Sequence, residues 1–138
     1  MKRYLVICMI SVGLLACEKE AGEGGTSVID GRVIYFTTLY NTQTSVNDTH
    51  YYPKAGKDVY IIYSDDEESI YDDKFETDWE GRYHFEYLRK GEYTIFTHVD
   101  SIVINDITYD YPIFKHVSIT NNNSTNTLSD FVIHRISE

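Results

Sequence analysis

Residues 77–95 constrain the fold more tightly than any other stretch of this 138-residue sequence. A polar turn, Asp78-Trp79-Glu80-Gly81, places glycine where a tight hairpin demands a positive φ. Arg82 to Tyr87 then alternates strictly, with Tyr83, Phe85 and Tyr87 on one face and Arg82, His84 and Glu86 on the other. That is the period of a half-buried strand. A second turn, Leu88-Arg89-Lys90-Gly91, leads into Glu92 to Val99, where Tyr93, Ile95 and Thr97 continue one face. The pattern predicts a hairpin with an aromatic inner face and glycine at its corners. Tyr93, just past the second turn, is a candidate corner tyrosine whose hydroxyl bonds back to a loop. A plain core aromatic is the alternative.

The rest of the chain reads as strands with little helical competition. Val28 to Tyr40 is strand-like, but both faces are partly apolar, so periodicity does not say which points inward. Residues 41–57, polar with Pro53 and Gly56, read as a loop. A strand over 58–64, an acidic loop from Asp65 to Asp73 and a short strand over 74–77 precede the hairpin. Residues 100–111 read as an extra hairpin or an irregular loop; 112–120 and 128–136 are strands joined by a turn-rich segment, 121–126. This spacing predicts an all-β, seven-stranded antiparallel β-sandwich. Val59, Ile61, Tyr83, Phe85, Tyr93, Ile95, Phe131 and Ile133 are the expected core.

These residues also carry a resemblance. Thr77-Asp78 followed by Gly81, Tyr83 and Phe85, then Leu88, Gly91 and Tyr93, resembles the signature of carboxypeptidase regulatory-like domains. Ile29-Asp30-Gly31-Arg32-Val33 and Ala55 to Ile61 are similar to that family's first two strands. Val117-Ser118-Ile119 and Asp130 to Ile133 are similar to its last two. The resemblance implies a transthyretin-like (prealbumin-type) Greek-key sandwich over residues 27–138, with a longer connection than usual at 41–54. It implies little about activity, because that fold serves many roles. A branch hydrolysing a purine-pathway intermediate closes on Tyr-Arg-Gly-Ser, where this chain has His134-Arg135-Ile136-Ser137-Glu138. A pilus branch forms a lysine–asparagine crosslink from a first-strand lysine, where this chain offers only Arg32. There is no Gly-x-Ser-x-Gly run, and the expected mature domain has no cysteine for a thiol nucleophile. The expectation is a chain without catalytic activity.

Residues 1–16 read as a signal peptide. Lys2 and Arg3 give a positive start, and the apolar run from Tyr4 to Ala16 is too short for a membrane span of about 20 residues. It closes on Leu14-Leu15-Ala16-Cys17, which resembles a bacterial lipobox and implies acylation of Cys17. Glu18 stands where an aspartate commonly retains lipoproteins at the inner membrane, so sorting rules imply the outer membrane, periplasmic or surface-facing. Residues 17–26, with Gly22, Gly24 and Gly25, read as a flexible tether. Lys2 and Arg3 leave with the leader, so 12 basic and 22 acidic residues become 10 against 22, a net of −12. Such a surface repels nucleic acid and anionic headgroups, leaving the lipid as the membrane contact.

Three residue groups remain as candidates for function. His84, His98, His116 and His134 fall on four different late strands without close ligand spacing, so solvated histidines are expected rather than a zinc site. The acidic stretch from Asp65 to Asp73 lacks the alternation and central glycine of a calcium loop. No metal or cofactor is expected. Strand reversal predicts that Tyr51, Tyr52, Trp79, Tyr109 and Tyr111 gather on loops at the end opposite the lipid. Aromatics on loops of a rigid sandwich suit a protein partner in an envelope assembly, or the rings of a glycan. The alternative is that they fold back and cap the core.

Overall fold

The computed structural model of the chain describes residues 20–100, 102–104 and 107–135; for 102–104 and 108 only the backbone is described. Cys17, the leader and Ser137-Glu138 lie outside them. Eleven strands occur among the described residues, and no helix. They are β1 (Glu23–Asn41), β2 (Val46–Pro53), β3 (Asp58–Ile62), β4 (Asp73–Glu76), β5 (Arg82–Leu88), β6 (Gly91–His98), β7 (Ile102–Ile104), β8 (Ile107–Tyr109), β9 (Pro112–Ile119), β10 (Thr125–Thr127) and β11 (Phe131–His134).

The spine is β1, 19 residues long; Glu23 and Ser27 both register with Leu88, so residues 27–41 make up its extended run, about 50 Å at 3.3 Å per residue. Along one edge β5 pairs with its first half and β2 with its second, both antiparallel. They meet at Val33, whose carbonyl accepts from Lys54 N–H (3.0 Å) and whose N–H donates to the Gly81 carbonyl (2.8 Å). Gly81 sits at φ 73°, and a Cβ there would lie 2.5 Å from the Val33 oxygen, so only glycine fits. Along the other edge run β10 and then β11, both parallel to β1. The second sheet has the order β4-β3-β6-β9, all antiparallel, and β7 and β8 form a separate hairpin.

Two expectations are corrected here. The two main sheets hold five and four strands rather than seven in all, and β1 has parallel as well as antiparallel neighbours. The additional strand β2 is exposed at nearly every position because it runs beyond the core with β1, held by backbone pairing that leaves no burial pattern in its sequence. Parallel pairing arises because β9 ends at the same end where β1 begins, and the chain crosses between sheets instead of turning back as a hairpin.

All eight expected core residues are buried, with Ile29, Val33 and Tyr35 from β1, Leu88 from β5 and Ile119 from β9. Odd-numbered positions of β1 therefore face inward. Tyr87 does not join Tyr83 and Phe85: it is 69% exposed at φ 58°. Three residues of β5 from Phe85 to Leu88 span what two of β1 span from Ser27 to Ile29, so the strand bulges and Leu88 takes the inward place.

Part of the stretch expected as a flexible tether, residues 17–26, is docked on the sandwich. From Ala21 onward the chain is docked: Gly22 accepts from Arg89 N–H (2.8 Å), and β1 starts at Glu23. Tyr93 is the clamp. Its hydroxyl accepts from Gly22 N–H (2.9 Å) and donates to the Arg89 carbonyl (2.7 Å), so it serves as the corner tyrosine and a core ring together. Burial raises its pKa, and the bonds to Gly22 and Arg89 pull it back.

Candidate functional site

Strand directions put the β1–β2 turn, residues 53–57, the Trp79 turn, residues 99–100 and residues 110–112 at the end of the sandwich far from Ala21. This end is built on one core tyrosine. Tyr35 donates to Asp100, Asp100 pairs with Lys57 at 3.4 Å, and Lys54 and Lys57 lie over the Tyr35 ring. Burial first and the Asp100 bond second push the Tyr35 phenol far above its ordinary pKa. The Thr77 hydroxyl, buried, donates to the Lys54 carbonyl (2.7 Å) and accepts from Lys57 N–H (2.9 Å), tying the two connections together.

The five aromatics reach this end by different routes, and not all on loops. Tyr51 and Tyr52 are consecutive on β2 and so point to opposite faces. Tyr51 is exposed and packs on Phe36 (5.6 Å), which also stacks on His134 (4.7 Å); Tyr52 turns in toward Tyr35 (6.2 Å). Tyr109 ends β8, while Tyr111, whose carbonyl accepts from Val99 N–H, follows it; both are exposed. Trp79 caps nothing, being 80% exposed on a turn that Asp78 organises by accepting from Glu80 and Arg82 N–H groups. Among the described residues no ring contact joins any two of the five. They share an end and do not form one platform.

Sequence reasoning missed a second feature. A groove of about 550 Å³ lies along β1, β5 and β10, walled by Asp30, Arg32, Arg82, His84, Thr127 and Asp130. Asp30 and Arg32 occupy outward positions of β1, Asp30 between His84 of β5 and Thr127 of β10, and Arg32 beside Arg82 of β5. Gly31, between them, faces inward beneath Tyr83, and any Cβ there would overlap the Tyr83 hydroxyl. Tyr83 is among the residues that line the groove. Asp30 Oδ1, Arg32 Nε and the Tyr83 hydroxyl are buried and have no hydrogen-bond partner among the described residues. Leaving such an atom unpaired costs about 1–3 kcal/mol. Burial, then the Asp30 and Asp130 carboxylates, push the Tyr83 phenol far above its ordinary pKa. The signal in the sequence was Gly31 inside a strand, which marks a close approach.

The histidines are dispersed. His116 links Glu67 (2.9 Å) to Thr94 (3.1 Å), His84 packs on Phe75, His98 on Phe96 and His134 on Phe36. In the acidic loop Asp66 accepts from Glu68 N–H and the Ser69 hydroxyl, which lowers its pKa. No group of three or more His, Cys, Asp or Glu among the described residues is arranged to hold a metal ion.

Neither a protein-family model nor a curated protein sequence matches the chain. A solved structure of a candidate carbohydrate binding protein from Pseudomonas aeruginosa resembles it at 14% identity and a TM-score of 0.47, covering 83% of this chain and 92% of that one. A likeness at that level carries no argument about function.

Proposed function

We propose that this chain is a non-catalytic interaction module, held at a bacterial outer membrane by lipid on Cys17, that presents its far end to a protein partner of the cell envelope. The observation that carries this reading is the length of β1. Ala21 packs against Gly91 at one end, and about 50 Å of strand, residues 27–41, leads from there to the β1–β2 turn, on a ribbon where Leu39, Tyr40, Val46 and Tyr51 are exposed. Apolar and aromatic side chains held out on a paired ribbon suit a docking surface. The Thr77 to Tyr93 motif also supports keeping the chain with the carboxypeptidase regulatory-like, transthyretin-like Greek-key sandwiches.

A glycan on the same aromatics is the second reading, favoured by the open Trp79 ring and disfavoured by the scatter of the other four. Two experiments test the proposal. Cys17→Ser should move the protein from the membrane to the soluble fraction; persistence in the detergent phase removes the lipid from the account. Photo-crosslinking residues placed at Tyr40, Tyr51 and Lys90 should give protein adducts at the first two positions only. Adducts at Lys90 alone would put the partner at the wrong end.

A further inference from the structure

We propose that the groove along β1, β5 and β10 binds a neutral polyhydroxyl ligand, a sugar residue, through Asp30, Arg32 and Tyr83. The site shares no residue with the exposed β1–β2 ribbon, although Asp78 on its rim also organises the Trp79 turn. Its wall offers a carboxylate oxygen that accepts, a guanidinium N–H that donates, and a phenol that does either, all buried and unpartnered among the described residues. Tyr83 is 1% exposed, so its hydroxyl has been taken from water without a replacement. Neither Asp30 nor Arg32 forms an ion pair with another described residue, although opposite charges with buried atoms are ordinarily paired.

The chemistry of the ligand follows from that set. Sugar hydroxyls each donate and accept, so vicinal hydroxyls can satisfy all three atoms at once. Four carboxylates, of Asp30, Asp78, Glu86 and Asp130, line the groove and disfavour an anion. The guanidiniums of Arg32 and Arg82 beside them offset two of those charges and repel a cation locally, whereas a neutral ligand is repelled by neither set. The groove's volume lies in the range of small-molecule sites.

Trp79 is the sole tryptophan of the sequence and follows Asp78 on the groove wall, so its fluorescence reports on the site. The full chain, in a non-glycosidic detergent, is titrated with glucose, galactose, mannose, N-acetylglucosamine and their di- to tetrasaccharides, with calorimetry alongside. Inorganic phosphate and putrescine serve as charged controls. At least one sugar should bind saturably in the millimolar range or tighter, and neither control should bind. Tyr83→Phe should weaken that sugar at least tenfold without lowering the melting temperature, because it deletes only an unpartnered oxygen. Asp30→Asn and Arg32→Lys should weaken it likewise, while Tyr51→Ala leaves it within twofold. The proposal is overturned if no sugar binds, if phosphate or putrescine binds instead, or if binding survives all three groove substitutions. A fall in the melting temperature of Tyr83→Phe without any sugar binding would show that the hydroxyl serves the fold through water alone.

Discussion

The outer faces of the two sheets treat their polar groups in opposite ways. On the four-stranded sheet Tyr60, Phe96 and Phe114 stand in a row across β3, β6 and β9, with Tyr60 stacked on Phe96 at 4.9 Å. The polar groups among them are served in sequence: Thr94 donates to the Ser64 carbonyl (2.8 Å) and meets His116, which meets Glu67. On the five-stranded sheet the outward row is Asp30, Arg32, Arg82 and His84, and Asp30 Oδ1, Arg32 Nε and the Tyr83 hydroxyl beneath them have no partner among the described residues. The same chain that finds four partners in a line on one face leaves three atoms open on the other. That contrast separates what the fold requires from what it leaves available.

The largest blow to the first face is Phe96→Ala. The ring touches Tyr60, His98 and Phe114, and its loss should cost about 3–5 kcal/mol in urea denaturation. A cost near zero would mean the aromatic row is surface decoration. Alkali acts on the other sheet. The unfolded chain ionises tyrosine near pH 10, whereas Tyr35 and Tyr83 in the fold hold their protons well above that. Their raised folded values mean that their contribution is complete below pH 10 and is lost as pH rises through the folded values. At pH 11 each has lost about 1.4 kcal/mol, so stability should fall by about 3 kcal/mol from its value at pH 8. Phenolate absorbance that rises below pH 10.5 for every tyrosine, with no loss of stability, would contradict this. Tyr93→Phe comes next. It strands the Gly22 N–H and frees the start of β1, costing about 2 kcal/mol and speeding amide exchange at residues 22–26.

Most of the core could be read from the sequence because burial there follows period two. Val59 with Ile61, Tyr83 with Phe85, and Phe131 with Ile133 each alternate with exposed or half-buried residues. Tyr93, placed after a turn, was legible as a corner for the same local reason. What could not be read is pairing that leaves no mark on side chains. β2 is held to β1 by a backbone ladder that leaves nearly all of its side chains exposed, and the parallel placement of β10 and β11 depends on a crossover between sheets. The bulge at Tyr87 was hidden because an aromatic at the expected spacing resembles a core residue. The groove was hidden by the reverse effect. Asp30 and Arg32 pass for ordinary solvent-facing charges, and Tyr83 for ordinary core, until Gly31 is seen to seat the Tyr83 hydroxyl against β1 between them.

The smallest effects decide the comparison, because they remove one oxygen from each sheet. Thr94→Val keeps the shape of the side chain and deletes a hydroxyl that serves both the Ser64 carbonyl and His116. Two partners lose their bond, so the cost should be about 1–2 kcal/mol. Tyr83→Phe deletes a hydroxyl that serves no described residue, and the ring keeps its contacts with Phe85 and Phe131. The unpaired oxygen was a burden on the fold, so its removal should change stability by less than about 0.5 kcal/mol or raise it. Measured side by side in urea, the two variants must differ in sign or by at least about 0.5 kcal/mol. If Tyr83→Phe costs as much as Thr94→Val, the hydroxyl is held by something the fold needs, the two faces are alike, and the groove loses its claim to be a site kept open for a ligand.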